Sequence, residues 1–322
     1  MDTRKQQLVD WIKTSARIPC FDINPASDDA SFRRYFRIGF DGKTLIAMDA
    51  PPEKEDSAKF MRLAQVFQRA GAQVPDIIEA DPSRGFLLLT DLGQTQYLTA
   101  LTADNAQRLY GDSLATLLSV QTTPLAEVRA LPAYDDALLT RELAIFDEWF
   151  VTRHLGVAWN DAQRRVWQQA CAVLKHSALE QPRVLVHRDY HSRNLMVTER
   201  HNPGVLDFQD AVYGPITYDL ASLLRDCYIA WPDVQVQHWL EQHRNHLLKR
   251  GLPVNDAAQF QRWFDLMGAQ RHLKAIGIFA RLQHRDGKPG YLQDIPRTLN
   301  YVLDVCGRYS ELRGLETLLH GL

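Results

Sequence analysis

The sequence predicts an α+β fold with a small β-rich lobe followed by a larger, mainly helical lobe. The chain has 322 residues, which is long for one domain and suits two. Short strand patterns with a single helix fill residues 32–90, and helical spacing dominates after Leu92-Gly93. We therefore predict lobes at residues 1–92 and 93–322, connected through Thr90–Gly93.

The composition is that of an ordinary soluble protein. Apolar residues make up 45% of the chain and charged residues 24%, and 37 basic residues nearly balance 39 acidic ones. The chain has no excess of basic residues of the kind that would indicate a nucleic-acid or anionic-membrane partner. It also has no apolar run long enough to span a bilayer. The amino terminus lacks the apolar core of a signal peptide. The cysteines are widely spaced, as reduced thiols would be: Cys20, Cys171, Cys227 and Cys306. We expect a cytoplasmic protein with no obligate protein partner.

The first lobe shows strand and helix patterns in turn. Residues 3–16 form an amphipathic helical pattern at the amino terminus. Apolar residues in alternation predict two strands joined by a turn at Asp41-Gly42, a pair typical of tight hairpins. A second helix is predicted over 57–70, closed by Gly71. Two further strands are predicted at Ile77–Ala80 and Phe86–Thr90.

The second lobe reads as helices interrupted once. Between the helical patterns lies a polar segment, residues 184–211, in which short β-branched runs flank polar clusters. Helices are predicted at 95–120, 138–155, 161–179, 218–230, 233–250, 256–283 and 293–320.

The polar segment carries the strongest chemical signal in the chain. Asp189 is followed five residues later by Asn194, and Asp207 comes thirteen residues after that. Apolar runs on either side predict that these groups sit on loops between short buried strands. Phosphoryl transfer needs one carboxylate to orient the acceptor and oxygen ligands for Mg²⁺, and this set supplies both. The alternative is a polar loop around a hydrogen-bonded histidine, which the flanking apolar runs disfavour.

The segment HRDYHSRN…LDFQDA resembles the catalytic and metal-binding loops of the aminoglycoside phosphotransferase and choline kinase branch of the protein-kinase-like fold. That family has H-x-D-x-x-x-x-N followed by a second Asp. Downstream, Tyr218-Asp219-Leu220-Ala221 resembles a helix start whose Asp braces the catalytic loop. The resemblance covers nearly the whole chain. It implies a bilobal kinase-like enzyme that uses ATP and Mg²⁺.

Within this family, four segments look most similar to bacterial anomeric sugar kinases: SDDASFRRYFR, MDAPPE, RELAIFDEWF and HRDYHSRNLM. This likeness implies an amino sugar acceptor. It implies phosphorylation of the anomeric C1 hydroxyl of N-acetylmuramate or N-acetylglucosamine in peptidoglycan recycling.

The resemblance assigns roles to the matching residues. Asp189 would take or orient the proton of the acceptor hydroxyl, and Asn194 and Asp207 would bind Mg²⁺. His187 and Asp219 would support the catalytic loop. At the connection between the lobes, three residues would surround adenine, two of them through their backbone: Leu89, Thr90 and Leu92.

The chain departs from the family pattern at the nucleotide phosphates. The usual strand lysine is replaced by Met48 or Asp49, depending on register, and helix 57–70 has no partner Glu. Both losses are consistent, because a Glu without its Lys would be a buried unpaired charge. The phosphate loop, Ser27–Ser31, has no glycine.

We hypothesise that Arg34 replaces the lysine. Alternation places Arg34 with Phe36 and Ile38 on one strand face, which we expect to be buried over the nucleotide. Arg33 is the second candidate, and the alternative is a surface ladder of arginines. Ser31 and Phe32 complete the candidate nucleotide contacts.

The acceptor is harder to predict than the reaction. From Ala211 onward the chain has 13 basic and 11 acidic residues, which counts against a polycationic substrate. A guanidinium could instead bind the lactyl carboxylate of muramate. Candidate acceptor contacts are Glu142, Arg193, Arg225, Asp226 and Tyr228. Two alternatives remain: a kinase for another small alcohol, such as an aminoglycoside, choline or an amino alcohol, and a non-catalytic nucleotide-binding module.

Overall fold

Helices make up most of the described chain, which is residues 2–26 and 32–322 of a computed structural model. The α-helices are α1 (Thr3–Thr14), α2 (Ser57–Arg69), α3 (Tyr97–Ala100), α4 (Ala106–Gln121), α5 (Leu125–Val128), α6 (Asp136–Ile145), α7 (Asp161–Leu179), α8 (Tyr218–Leu224), α9 (Asp233–Lys249), α10 (Ala257–Asp286), α11 (Ile295–Arg308) and α12 (Arg313–His320). A π-helical stretch, Phe146–His154, continues α6, and 3₁₀ helices cover Pro289–Asp294 and Ser310–Leu312.

Nine short strands complete the described elements. They are β1 (Asp22–Pro25), β2 (Arg34–Phe40), β3 (Lys43–Asp49), β4 (Ile77–Asp81), β5 (Phe86–Thr90), β6 (Arg183–Val186), β7 (Leu195–Met196), β8 (Gly204–Val205) and β9 (Val212–Pro215). A small antiparallel sheet and a larger helical part confirm the predicted α+β fold. None of the helices in the described ranges has the length and apolar character that a bilayer crossing requires.

Residue contacts divide the chain into two compact units. The first comprises Met1–Ala100 and Asn194–Gln209, and the second comprises Leu101–Arg193 and Asp210–Leu322. The predicted boundary at residue 92 therefore differs from this division in two respects. The first unit extends to Ala100, and it also takes in a hairpin from the middle of the polar segment.

The first unit is built on a five-stranded antiparallel sheet in the order β1-β2-β3-β5-β4. The β2–β3 hairpin turns at Asp41-Gly42, as predicted, with both residues in the left-handed region (φ 47° and 70°). Helix α1 packs its apolar stripe against one sheet face, and this cluster includes Leu8, Trp11, Ile12, Phe36 and Ile38. The face that carries Phe36 and Ile38 is thus buried, as predicted, but by α1.

The second unit is organised around the long helix α10. A buried cluster joins α10 to the π-helical stretch, α7, α11 and α12, with Phe146, Trp167 and Leu273 among its members. Strands β6 and β9 pair antiparallel, with Arg183 opposite Pro215. Helix α7 begins with a capping box in which Asn160 and Gln163 exchange side-chain and backbone hydrogen bonds.

Several predicted helices are shorter than their patterns indicated. The pattern 95–120 forms two helices, α3 and α4, and the pattern 293–320 also divides into separate helices. The pattern 218–230 forms α8 only as far as Leu224. Strands β1 and β9 were not predicted. Apolar spacing detects buried faces, whereas helix ends depend on caps and tertiary contacts that spacing does not encode.

Candidate active site

The loop after β6 holds Asp189 through backbone hydrogen bonds. The buried carboxylate of Asp219 accepts from the N–H groups of His187 (2.7 Å) and Arg188 (3.0 Å). The Asp189 N–H in turn donates to Nδ1 of His187 (3.2 Å). Burial raises the pKa of Asp219 to about 7, against the lowering effect of the two backbone hydrogen bonds. Asp219 and His187 thus hydrogen-bond to the backbone of the loop that carries Asp189, and their supporting role in catalysis stays a prediction.

Asp189 lines a cleft of about 90 Å³ in the second unit. The same cleft is lined by His191, Tyr228, Arg271, Lys274 and Phe279. Burial alone would raise the pKa of Asp189, but nearby positive charges, led by Lys274, lower it to about 2. The group is therefore a carboxylate at neutral pH, able to accept a hydrogen bond from a hydroxyl in the cleft.

Glu142 is not among the described residues that line this cleft. Its carboxylate is 3% exposed and pairs with Arg188 and with Nζ of Lys274 (3.0 Å). Tyr134 also donates to it through its hydroxyl (2.5 Å). Burial would raise the pKa of Glu142, but Lys274, Arg188 and the hydrogen bonds lower it to about 2. The oxygens of Glu142 are thus engaged in holding the two cations, and its contact with substrate stays a prediction.

Arg225 and Asp226 are buried and have partners within the protein, and their contact with substrate stays a prediction. Arg225 is 4% exposed and pairs with Asp265 (Nη2 to Oδ1, 2.6 Å). Asp226 is buried and accepts from the backbone N–H groups of Ser192 (2.8 Å) and Tyr228 (2.9 Å). Asp226 thereby ties the segment after Asp189 to the residues that follow α8.

Tyr228 lines the cleft, and Arg193 lies against its ring. The Arg193 guanidinium carbon is 3.9 Å from the centre of the Tyr228 ring and 5.1 Å from that of Tyr291. This cation–π stacking holds the guanidinium between two rings. A contact of Arg193 with substrate or the γ-phosphate stays a prediction.

The first unit holds the two predicted metal ligands next to each other. Asn194 precedes β7 and Asp207 follows β8, so the short hairpin brings them together, with Nδ2 of Asn194 3.4 Å from Oδ2 of Asp207. Gln209 donates to the other oxygen of Asp207 (2.6 Å). The ring of Phe208 packs on Phe60 and Phe67 of α2, with centroids 4.9 and 5.7 Å apart, and this anchors the loop.

This pair suits a hard divalent cation. One carboxylate and one amide side chain side by side present oxygen donors of the type that Mg²⁺ prefers, in a group that is partly exposed. When bound, Mg²⁺ would supply positive charge to neutralise nucleotide phosphates.

The two candidate arginines of the first unit lie on different sides. Arg34 pairs with Asp49 (Nη2 to Oδ2, 2.5 Å) and with Asp2 beside α1. Arg33 is 9% exposed and lies 3.7 Å from Oδ1 of Asp207 and 3.8 Å from Glu55. Helix α1 packs on the strand face that carries Arg34, and the nucleotide contact of Arg34 stays a prediction. Arg33, the second candidate, is the arginine beside Asp207, one of the predicted metal ligands.

Asp49 is one of the two residues that could occupy the position of the family's strand lysine. It is fully buried and accepts from both Arg4 and Arg34, so it serves as the counter-ion of these two arginines. Met48 is its buried neighbour on the opposite strand face. The strand lysine position is thus occupied by an apolar side chain or by a carboxylate already paired.

The predicted adenine contacts lie at the end of β5. The Thr90 N–H donates to the backbone carbonyl of Asp76 (2.9 Å), and its hydroxyl accepts from the Asp76 N–H (2.8 Å). Leu89 is buried. Leu92 packs close to Gly204, where a Cβ would be 2.9 Å from its Cδ1. Arg37 clamps Asp91 in a bidentate ion pair just beyond β5. The backbone roles of Thr90 and Leu92 stay predictions.

Ser31 and Phe32 are the remaining predicted nucleotide contacts. Ser31 lies outside the described residues. Phe32 is 59% exposed, with the Lys54 ammonium 4.2 Å from its ring centre. Its role also stays a prediction.

Sequence reasoning missed three cleft residues: His191, Arg271 and Lys274. His191 was hidden inside the catalytic motif as an unassigned position. Arg271 and Lys274 were noticed only as part of a basic excess. Their spacing of three on a helix otherwise rich in apolar residues was the available signal, because it places both charges on one buried helix face.

The chain belongs to the phosphotransferase enzyme family, whose model matches residues 22–253. This confirms the predicted family. Over nearly its full length the chain is also similar to curated bacterial proteins named N-acetylmuramate/N-acetylglucosamine kinase. The one from Pseudomonas putida is 47% identical and is covered to 96%, with 99% of this chain matched. The one from Neisseria meningitidis is 44% identical over 98% of this chain and 95% of its own length.

Solved structures with the same fold come from small-molecule kinases. Plasmodium vivax ethanolamine kinase superposes with a TM-score of 0.64 at 10% identity, covering 94% of this chain and 89% of its own. The GDP complex of aminoglycoside 2′-phosphotransferase-IIIa gives 0.61 at 14% identity, covering 94% and 98%. These similarities establish the kinase-like fold that the motif predicted.

Proposed function

We propose that the protein transfers the γ-phosphoryl group of ATP, with Mg²⁺, to the anomeric C1 hydroxyl of N-acetylmuramate and N-acetylglucosamine. The observation that carries this proposal is the cleft at Asp189, where two cations and two aromatic rings accompany the carboxylate. Cations disfavour a polycationic aminoglycoside, whereas ring faces offer an apolar platform for a sugar. The names of the full-length relatives support the same acceptors.

Asp189 is proposed to orient the attacking hydroxyl. With a pKa of about 2 it is a weak base, so it accepts a hydrogen bond from the hydroxyl early and its proton late. Such behaviour suits the loose transition state of phosphoryl transfer, in which the leaving phosphoryl group is largely dissociated before the nucleophile must lose its proton. Lys274, anchored by Glu142, keeps the carboxylate ionised.

The first unit is proposed to hold the nucleotide. Asn194 and Asp207 would hold Mg²⁺, and Arg33, beside Asp207, would contact the phosphates in place of the family's strand lysine. The end of β5 would contact adenine through backbone groups. Since ATP is a cytoplasmic substrate, we propose that the reaction is cytoplasmic and serves peptidoglycan recycling.

The proposal is tested by incubating the purified protein and Mg·ATP with N-acetylmuramate, N-acetylglucosamine, glucose, choline or kanamycin. Phosphorus NMR of the products distinguishes a C1 phosphate from phosphates at other hydroxyls. We expect C1 phosphates of the two N-acetyl sugars. Turnover of kanamycin or choline alone would establish the alternative class of kinase, and nucleotide binding without turnover would establish a non-catalytic module.

Asp189→Asn should separate chemistry from nucleotide binding. Losing the carboxylate should lower kcat by about a thousandfold, because general-base and orienting groups contribute about 10²- to 10⁴-fold. The Kd for an ATP analogue, measured by calorimetry, should stay within about threefold. Asp304→Asn, at an exposed carboxylate of α11, is the matched control and should leave kcat unchanged. Retained turnover in Asp189→Asn would remove Asp189 from the mechanism.

A further inference from the structure

Arg271 differs from the other buried arginines of the second unit in forming no ion pair with a carboxylate of the described residues. Arg188 pairs with Glu142 and Arg225 pairs with Asp265. Arg271 is 6% exposed, and its one hydrogen bond within the described ranges goes from Nη1 to the sulfur of Cys227 (3.7 Å). Its Nε, also buried, has no hydrogen-bond acceptor among those residues. A buried guanidinium satisfied only by a thiol is costly unless an anion joins it.

The position of Arg271 shows where such an anion would be. Arg271 lines the same cleft as Asp189, Tyr228 and Phe279. The other cation of this cleft, Lys274, already has Glu142 at 3.0 Å. Among the described residues, Arg271 is therefore the cation of the cleft that has no ion pair with a carboxylate, although Asp189 and Asp226 interact with its charge from farther away. It lies next to the aromatic rings on which a sugar would stack.

We propose that Arg271 binds the lactyl carboxylate of N-acetylmuramate and is the residue that distinguishes this sugar from N-acetylglucosamine. The inference rests on the proposed function, since the two sugars are its acceptors. A planar guanidinium matches a carboxylate in a bidentate pair, and a pair formed inside a cleft is stronger than one in water. N-acetylglucosamine lacks the lactyl group and leaves the guanidinium as it is in the structure.

The phosphoryl group in transfer is the other anion that could meet Arg271. The two possibilities differ in a measurable way, because phosphoryl transfer is common to both sugars and the lactyl carboxylate is not. A residue that contacts the phosphoryl group affects both reactions equally. A residue that contacts the lactyl carboxylate affects only one.

The experiment compares wild type and Arg271→Met on both sugars in steady-state kinetics. Methionine keeps an unbranched apolar side chain and removes the charge. We expect kcat/KM for N-acetylmuramate to fall about 30- to 100-fold, mainly through KM, and kcat/KM for N-acetylglucosamine to change less than about threefold. Arg281→Met is the matched control. Arg281 is a half-buried arginine on the same helix, with a buried Nε that also lacks an acceptor in the described chain. Arg281 lies outside the cleft. The ratio of kcat/KM for N-acetylmuramate to kcat/KM for N-acetylglucosamine should therefore be the same in Arg281→Met as in wild type.

A second arm alters the substrate instead of the protein. The methyl ester of N-acetylmuramate keeps the lactyl group, with one added methyl, and removes its charge, so the wild-type enzyme should use it about as poorly as Arg271→Met uses the acid. Arg271→Met itself should use acid and ester equally, since the effects of removing either partner of one interaction do not add. This arm decides the matter on the wild-type enzyme even if Arg271→Met fails to fold.

The outcomes separate the inference from the function on which it rests. Equal losses on both sugars, or wild-type indifference to the ester, overturn the role of Arg271 while the proposed function stands. A wild-type enzyme that phosphorylates neither sugar overturns the proposed function and the inference together.

Discussion

Arg188 and Asp207 both adopt a left-handed backbone, with φ of 78° and 62°, which non-glycine residues rarely do. One precedes Asp189 directly, and the other is a predicted metal ligand. Such conformations cost about 1–3 kcal/mol each and persist where surrounding contacts determine them. At Arg188 these contacts are the hydrogen bond from its N–H to Asp219 and the ion pair of its side chain with Glu142.

Glu142 should therefore matter more for stability than for substrate contact. Glu142→Gln leaves the buried cations Arg188 and Lys274 without their carboxylate, so we expect a loss of about 3 kcal/mol in the free energy of unfolding at pH 7. The pKa of Glu142 is lowered from its ordinary value to about 2. Its stabilising effect is thus complete above about pH 4.5 and is lost as the pH falls toward 2.

Urea unfolding at pH 7 and pH 3.5 tests this. The difference in the free energy of unfolding between wild type and Glu142→Gln should be smaller at pH 3.5 than at pH 7. Glu148→Gln, which removes an exposed carboxylate paired with exposed Arg153, is the control and should change stability by less than about 1 kcal/mol at either pH. A pH-independent gap for Glu142→Gln would contradict the assignment.

At this scale the sequence predicted the residues that lie in a local motif. Asp189, Asn194 and Asp207 could be recognised because their spacing is short and their chemistry is unusual between apolar strands. The direction in which Glu142 and Arg225 point could not be predicted. Each faces a partner more than 30 residues away in sequence, and a charged residue on a helix has the same pattern whether it faces a ligand or a counter-ion.

Helix α10 illustrates what an element contributes beyond its residues. At Gly277 it approaches the backbone at the junction of α6 and the π-helical stretch, where an added Cβ would lie 2.5 Å from the carbonyl oxygen of Ile145. The change from α- to π-helix begins at this contact. The sequence pattern over 138–155 predicted a continuous helix, because a tertiary contact of this kind leaves no periodic signal.

Gly277→Ala should consequently be damaging although alanine favours helices. The new methyl group would collide with main-chain atoms. We therefore expect the free energy of unfolding to fall by about 2–4 kcal/mol, which is within the range for overpacked and strained sites. Gly111→Ala is the matched substitution, since Gly111 is exposed in α4 with no atom within 4 Å of an added Cβ. Gly111→Ala should stabilise the folded protein by about 0.5–1 kcal/mol. Thermal unfolding of both variants checks this, and a neutral Gly277→Ala would refute the close approach.

For the molecule as a whole, the two chemical halves of the reaction fall in different units of the chain. The proposed metal ligands belong to the first unit and Asp189 with its cleft belongs to the second. The sequence predicted two parts with a boundary at residue 92, whereas the amino-terminal segment of the first unit extends to Ala100. It did not predict that residues 194–209 join the first, because a linear boundary was drawn through a discontinuous unit.

Hydrogen exchange should report this division. Mg·ADP should slow amide exchange in residues 194–209, since the proposed nucleotide and metal contacts lie there. N-acetylglucosamine should slow exchange in 187–193 and 271–279, which line the acceptor cleft. Helix α12 serves as the internal control and should respond to neither ligand. Protection by Mg·ADP confined to the second unit would contradict the placement of the nucleotide.

The discontinuous first unit also sets an order of events during synthesis. Its amino-terminal part ends at Ala100, but its last residue, Gln209, is translated only after about a third more of the chain. At ordinary elongation rates this delay is on the order of 5 to 20 s. For that interval the nascent chain has α2 without Phe208, so the faces of Phe60 and Phe67 that Phe208 later covers are still open to water or to a chaperone.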